Sequence, residues 1–167
     1  MNLLRKISFL TMAIAISQQV LALPDDTRQP LDIQADEASF DQQTGEAIYK
    51  GNVYITQGTI QIEAEYLKIT TDVQTQQFNK LEAKGKPAKF SQQVDLDGNM
   101  VISQGNQINY STTSGKLEIT GDGYLNQTDN KVSADYILYM VNTGAFEASK
   151  KDTGRVSMTL QPQTEEN

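Results

Sequence analysis

Gly51-Asn52-Val53-Tyr54-Ile55-Thr56-Gln57-Gly58-Thr59-Ile60-Gln61-Ile62-Glu63-Ala64-Glu65-Tyr66-Leu67 is the stretch that decides the fold. Val53 and Ile55 fall on one face, as do Ile60, Ile62 and Ala64, and Gln57-Gly58 supplies a turn between them. Alternation at period two around a glycine turn predicts paired β-strands. The same stretch returns 70 residues later without a gap. Gly51 falls on Gly121, Tyr54 on Tyr124, Gln57 on Gln127, and Ala64-Glu65-Tyr66-Leu67 on Ala134-Asp135-Tyr136-Ile137. Upstream, Phe40 falls on Tyr110 and Thr44-Gly45 on Ser114-Gly115. A fixed-period repeat means one supersecondary unit used twice, with the copies stacked over a continuous apolar interior.

Outward from this block the pattern persists. Leu81 alternates with Ala83, Ala88 with Phe90, Ile108 with Tyr110, Leu117 with Ile119, Ile137 with Tyr139, and Phe146 with Ala148. Turn signals recur at Gly51-Asn52, Asp97-Gly98, Gly121-Asp122 and Asn142-Thr143-Gly144. Little suggests a helix. The spacing predicts an all-β, elongated, open twisted β-jelly roll of about sixteen short antiparallel strands. Residues 23–160 form the domain, while 23–30 and 161–167 read as loose ends interrupted by Pro24, Pro30 and Pro162.

Residues 1–22 read as a cleaved secretory signal: Arg5 and Lys6, an apolar run from Ile7 to Ile16, then Val20-Leu21-Ala22. That run is shorter than the ~20 residues a membrane span needs. Its removal takes Arg5 and Lys6 away and moves the net charge from −7 to −9. So acidic a chain repels polyanions, which argues against nucleic acid as a partner. With Cys 0, no disulfide braces an exported fold and no lipoprotein anchor is possible.

The chemistry available is sparse. With His 0 and Cys 0 there is no imidazole base, no thiol nucleophile and no ordinary zinc site. No catalytic or metal residue and no cofactor is expected. Asp95-x-Asp97-Gly98-Asn99 lacks the ligand pattern of a calcium loop and reads as a hairpin tip. Glu63 and Glu65 share a face and read as solvated. Asn109-Tyr110-Ser111 and Asn126-Gln127-Thr128 match a glycosylation acceptor by pattern but fall within expected strands. The informative residues are apolar. Phe40, Tyr49, Phe90, Tyr110, Tyr139 and Phe146 are large, and several should point inward. Ala35, Ala38, Ala47, Ala64, Ala83, Ala134 and Ala148 are small inward candidates. An interior so rich in alanine reaches native density only if its walls approach closely or something apolar fills the gap.

Three segments then carry a specific likeness: Gln29-Pro30-Leu31-Asp32-Ile33-Gln34-Ala35-Asp36, the Gly51–Glu65 block, and Gly85-Lys86-Pro87-Ala88-Lys89-Phe90. Gln107-Ile108-Asn109-Tyr110 and Leu117–Leu125 extend it. Together they resemble the OstA-like domain family of periplasmic lipopolysaccharide-transport proteins over essentially the whole mature chain. The resemblance implies a V-shaped roll open at both ends, which binds lipopolysaccharide acyl chains and stacks head to tail as a periplasmic bridge. It implies an inner-membrane partner, LptC, and an outer-membrane partner, LptD. By match to the family it places lipid contacts at Leu31, Ile33, Phe90 and Tyr110, with Ile55, Ile62 and Ile119 as interior neighbours. The chain departs from the family's lysine-rich tail by ending Gln163-Thr164-Glu165-Glu166-Asn167, which fits headgroups left in solvent.

Two edges are expected to stay open: Leu31 to Gln34 with Leu31 and Ile33, and Arg155 to Leu160 with Val156, Met158 and Leu160. Three alternatives stand beside this reading. The N-terminal domain of LptD would be expected to continue into an outer-membrane barrel. An LptC-like component would keep a membrane anchor. A ligand-free secreted structural or adhesive β module would show a dry core.

Overall fold

The computed structural model describes residues 26–72, 74, 78–128, 130–150 and 155–161. The expected signal segment 1–22, Pro24 and the acidic tail from Pro162 onward lie outside the described residues.

Among the described residues ten strands form one antiparallel sheet. They are β1 (Leu31–Gln34), β2 (Glu37–Asp41), β3 (Glu46–Gln57), β4 (Ile60–Thr71), β5 (Phe78–Gln93), β6 (Met100–Ser111), β7 (Lys116–Gln127), β8 (Asn130–Met140), β9 (Phe146–Ser149) and β10 (Ser157–Thr159). From β3 to β8 each strand pairs with the next in sequence, so the sheet is a meander. β1 and β2 both lie along β3 at one end, and β9 and β10 both lie along β8 at the other. Among the described residues the sheet does not close.

Ten strands replace the expected sixteen for an identifiable reason. The register slips at Lys50/Val53, Glu63/Tyr66, Lys84/Ala88, Gln104/Gln107 and Thr120/Gly123. These bulges form a belt across the sheet, and in several strands the buried set changes parity there. Ile60 and Ile62 point inward in the first half of β4, but Leu67 and Ile69 in the second. A bulge inserts a residue and flips the side-chain phase without ending the strand. Gly51-Asn52 and Gly121-Asp122 therefore mark bends inside β3 and β7, not turns between strands. Counting each of the six long strands twice recovers the larger number.

The belt is also where the sheet folds over. Ser103 lies opposite Phe90 in register. Tyr110 is seven residues farther along β6, about 23 Å away in an extended strand. Yet the Phe90 and Tyr110 rings have centroids 5.1 Å apart and are tilted by 54°. The two halves of the sheet must face each other across the interior.

The repeat is structural as well as sequential. Gly45 closes the β2–β3 turn by donating to Asp41 O, and Gly115 closes the β6–β7 turn by donating to Ser111 O, both at 2.9 Å. Leu31↔Gln57 and Phe40↔Ala47 are reproduced as Val101↔Gln127 and Tyr110↔Leu117. β6 is thus the counterpart of β1 and β2 joined into one strand. At the bulge, Asn52 Nδ2 donates to Asp36 Oδ2 at 2.9 Å. In the second copy the residue types are exchanged, with Asn106 lying against Gly121 and Asp122 following it.

Residues 26–30 are not the loose end expected of them. Asp26–Arg28 is a short 3-10 helix, and Asp26 is buried. Its carboxylate accepts from Thr59 N and Thr59 Oγ1 at 2.7 Å and from Gln92 Nε2 at 3.0 Å. Gln57 Nε2 donates to Gln29 O at 3.1 Å. The segment is thereby fastened to the β3–β4 hairpin tip and to β5.

Candidate functional site

The interior is organised by register. Following pairing partners from strand to strand gives lanes of inward side chains that cross the whole sheet. One lane reads Ile33, Ile55, Ile62, Phe90, Ser103, Leu125, Val132, Met158. A second, in the facing half, reads Phe40, Ala47, Ile69, Leu81, Tyr110, Leu117, Tyr139, Phe146. A third, beside the second, runs Ala38, Tyr49, Leu67, Ala83, Ile108, Ile119, Ile137, Ala148. Side chains of one face align across strands because the side-chain period is two and pairing is in register. Each lane therefore runs from one open edge to the other.

Most expected site residues meet inside these lanes. Ile55, Ile62, Phe90 and Ile119 are fully buried, and Tyr110 is 5% exposed. Leu31 and Ile33 lie on edge strand β1, half-buried and packed against the core. Ala47, Ala83 and Ala134 are buried, whereas Ala38 is exposed. The walls do approach closely, and the Phe90–Tyr110 contact marks the approach. Phe40 is a correction: it is 65% exposed, although its repeat mate Tyr110 is buried. The second copy has β5 beyond β6 and Phe90 over the ring, whereas β2 is an edge strand with β3 alone beside it. At the other edge, Val156 packs against the core while Met158 and Leu160 are exposed.

Alternation placed Tyr110 and Tyr139 inward but could not reveal Ser103. Ser103 and Tyr139 are fully buried, and neither hydroxyl has a hydrogen-bond partner among the described residues. An unpaired buried hydroxyl costs about 1–3 kcal/mol. Tyr110 is better served, its hydroxyl lying 3.4 Å from Gln92 Oε1. Burial, and secondarily the Asp26 carboxylate, pushes the Tyr110 phenol up to about 12; burial pushes that of Tyr139 up to about 12. A signal for Ser103 was present in the repeat, where Ile33 occupies the equivalent position.

The outer faces are polar. A concavity of about 640 Å³ is lined by Lys68, Lys80 and Lys116 with Glu46, Glu82 and Glu118 among others. Lys116 Nζ, 2.9 Å from Glu118 Oε1, holds that carboxyl below the usual range, with help from the Tyr136 hydroxyl. Charges of both signs balance there, so the face offers an anion little net attraction. Glu63 is solvated as expected and meets Lys89 at 2.8 Å. Asp95 accepts from Asn99 N at 2.9 Å and caps the β5–β6 hairpin tip. Among the described residues no group of carboxylates could hold a metal ion, and no helix is long and apolar enough to cross a membrane.

Residues 32–145 match the family described as the LptA/(LptD N-terminal domain) LPS transport proteins. The chain belongs to this family, and it is a transport protein, not an enzyme. The lipopolysaccharide export system protein LptA of Escherichia coli K12 is 34% identical over 149 residues, covering 89% of this chain and 80% of that one. LptA of Haemophilus influenzae is 33% identical over 158 residues, covering 94% and 91%. LptH of Pseudomonas aeruginosa is 30% identical over 168 residues, covering 96% and 95%. A crystal structure of LptH, described as the LptA homologous periplasmic component of the lipopolysaccharide transport device, superposes with a TM-score of 0.76. It is 25% identical and covers 83% of this chain and all of that one. The chain is a homologue of these export proteins and shares the LptH fold.

Proposed function

We propose that this protein carries lipopolysaccharide by sheltering its acyl chains between the two facing halves of the sheet. One observation carries the reading: apolar lanes that cross the sheet from open edge to open edge. Each CH₂ taken from water into such a lane contributes about 0.8 kcal/mol. Entry requires the halves to part, and acyl chains then replace the contacts the halves make with each other. Leu31, Ile33, Ile55, Ile62, Phe90, Tyr110 and Ile119 line the path, and the anionic headgroup stays in solvent. No bond is made or broken.

The edges support stacking into a periplasmic bridge. Eight strands lie side by side from β1 to β10 with every neighbouring pair antiparallel, so β1 and β10 run in opposite directions. Setting β10 of one copy against β1 of the next would continue the antiparallel alternation, which is strand addition used for assembly. Met158 would then be followed by the next copy's Ile33, and the lanes would join. Phe40, Met158 and Leu160, three of the five large exposed apolar side chains among the described residues, lie on or beside the edge strands. In this reading the terminal copies meet LptC at the inner membrane and LptD at the outer membrane.

The test is photo-crosslinking in cells. A photoreactive phenylalanine analogue at Phe90 is expected to capture lipopolysaccharide, and one at outward Glu63 to remain unlabelled. Equal labelling at the two positions would overturn the proposal. A ligand-free module has one observation in its favour, the closed interior with Ile55, Phe90 and Ile119 at 0–1% exposure. Absence of labelling at both positions would favour it.

A further inference from the structure

In two of the three inward lanes the copies of the repeat differ in chemistry. In the two lanes that contain Phe90 and Tyr110, the first copy contributes only hydrocarbon side chains. The second contributes three hydroxyls: Ser103, Tyr110 and Tyr139. Tyr110 is paired with Gln92. Ser103 and Tyr139 are fully buried and without a partner among the described residues. The first copy places hydrocarbon at both equivalent positions, buried Ile69 for Tyr139 and half-buried Ile33 for Ser103. A buried hydroxyl left unpaired works against the folded state. Two of them in one apolar interior are better explained by a partner that arrives with the cargo.

A hydroxyl can both donate and accept. Its complement inside an apolar lane is an acyl chain that itself carries oxygen, as a hydroxyl or an ester carbonyl, and a plain hydrocarbon chain offers neither. We propose that Ser103 and Tyr139 are specificity-determining contacts for hydroxyacyl or acyloxyacyl chains, and that the second repeat grips the oxygenated part while the first shelters bare hydrocarbon. This rests on the acyl-sheltering reading above. It gives these two lanes a chemical polarity along the sheet, hydrocarbon toward β1 and hydrogen-bonding from β6 to β8.

The experiment compares two probes differing by one hydroxyl, 3-hydroxytetradecanoic acid and tetradecanoic acid. Each competes with a fluorescent fatty acid for the purified protein. Ser103→Ala and Tyr139→Phe are each expected to weaken the hydroxy acid by about 3- to 10-fold, the worth of one hydrogen bond. The plain acid should hold within about twofold, because no polar contact to it is lost. Thermal stability of both variants should be unchanged or higher, since an orphaned group is removed, and Ser103→Thr should retain the preference. If both acids weaken together, or the ratio does not move, the assignment is overturned while acyl sheltering stands. If neither acid binds the wild-type protein, acyl sheltering fails and the assignment fails with it.

Discussion

Asp26 binds three donors on two different elements, and its side chain is 3% exposed. Hydrogen bonds to a charged group contribute about 1.5–3 kcal/mol, so Asp26→Ala should lower stability by roughly that much. Urea unfolding should show an earlier midpoint at an unchanged slope; a midpoint that stays in place would mean the segment is not anchored. The phenols of Tyr110 and Tyr139 give a second test. Both are pushed up to about 12, against 10 in the unfolded chain, so the native state keeps protons that the unfolded state releases. Their contribution is intact below pH 10 and is lost as pH rises toward 12. Of the seven tyrosines, these two should ionise only with unfolding, giving a late step in the tyrosinate absorbance. Tyr139→Phe should shrink that step, and a single smooth titration in the wild type would contradict it. Phe90, Ile55, Ile62 and Ile119 were legible in the sequence because apolar residues at period two announce an inward face. Ser103 was not, because a serine in that phase looks like a break in the pattern. Asp26 was not, because its partners are 33 and 66 residues away.

At the scale of strands, the belt of bulges decides the shape. Gly51 and Gly121 have φ of 72° and 76°, and a Cβ at Gly51 would run into the Asp36 carboxylate. The left-handed conformation alone costs an alanine about 1–2 kcal/mol. Gly51→Ala should exceed that figure, and Asp36→Ala in the same chain should recover part of the excess. Strictly additive losses in the double mutant would show that Asp36 is not the obstacle. The bulges also explain what the sequence could say about elements. Pairs such as Leu67 with Ile69 and Ala88 with Phe90 correctly identify strand and inward face. They cannot tell a bend within a strand from a turn between two, because both carry glycine and both reset the phase. Phe40 shows the complementary blind spot, since its periodicity matches that of Tyr110 and only the missing neighbour beyond β2 leaves it in solvent.

For the whole molecule, the proposed stacking would use the two open edges. Pairing β10 with the β1 of another copy is head to tail and does not close, so size should rise with concentration without stopping at a dimer. Light scattering across the micromolar range should follow that rise. Deleting residues 155–167 should abolish it while leaving the circular dichroism of a β protein. A concentration-independent monomer for the intact mature chain would sink the proposal. The 70-residue repeat made the duplicated half of the sheet readable, because one unit used twice predicts the same pairing register in both copies. How close the facing halves lie was not readable, since alanine-rich walls permit both a collapsed and a filled interior.

The meander has a consequence for how the chain reaches this form. Every pairing from β3 to β8 joins neighbours in sequence through a short connection, so no long loop must close before a strand finds its partner. Folding speed falls as contacts become more distant along the chain, and hairpin-by-hairpin growth keeps them near. The chain can zip from any of its hairpins in either direction. In such growth the edge strands are left with a neighbour on one side only, and they are the same strands that the proposed stacking would use.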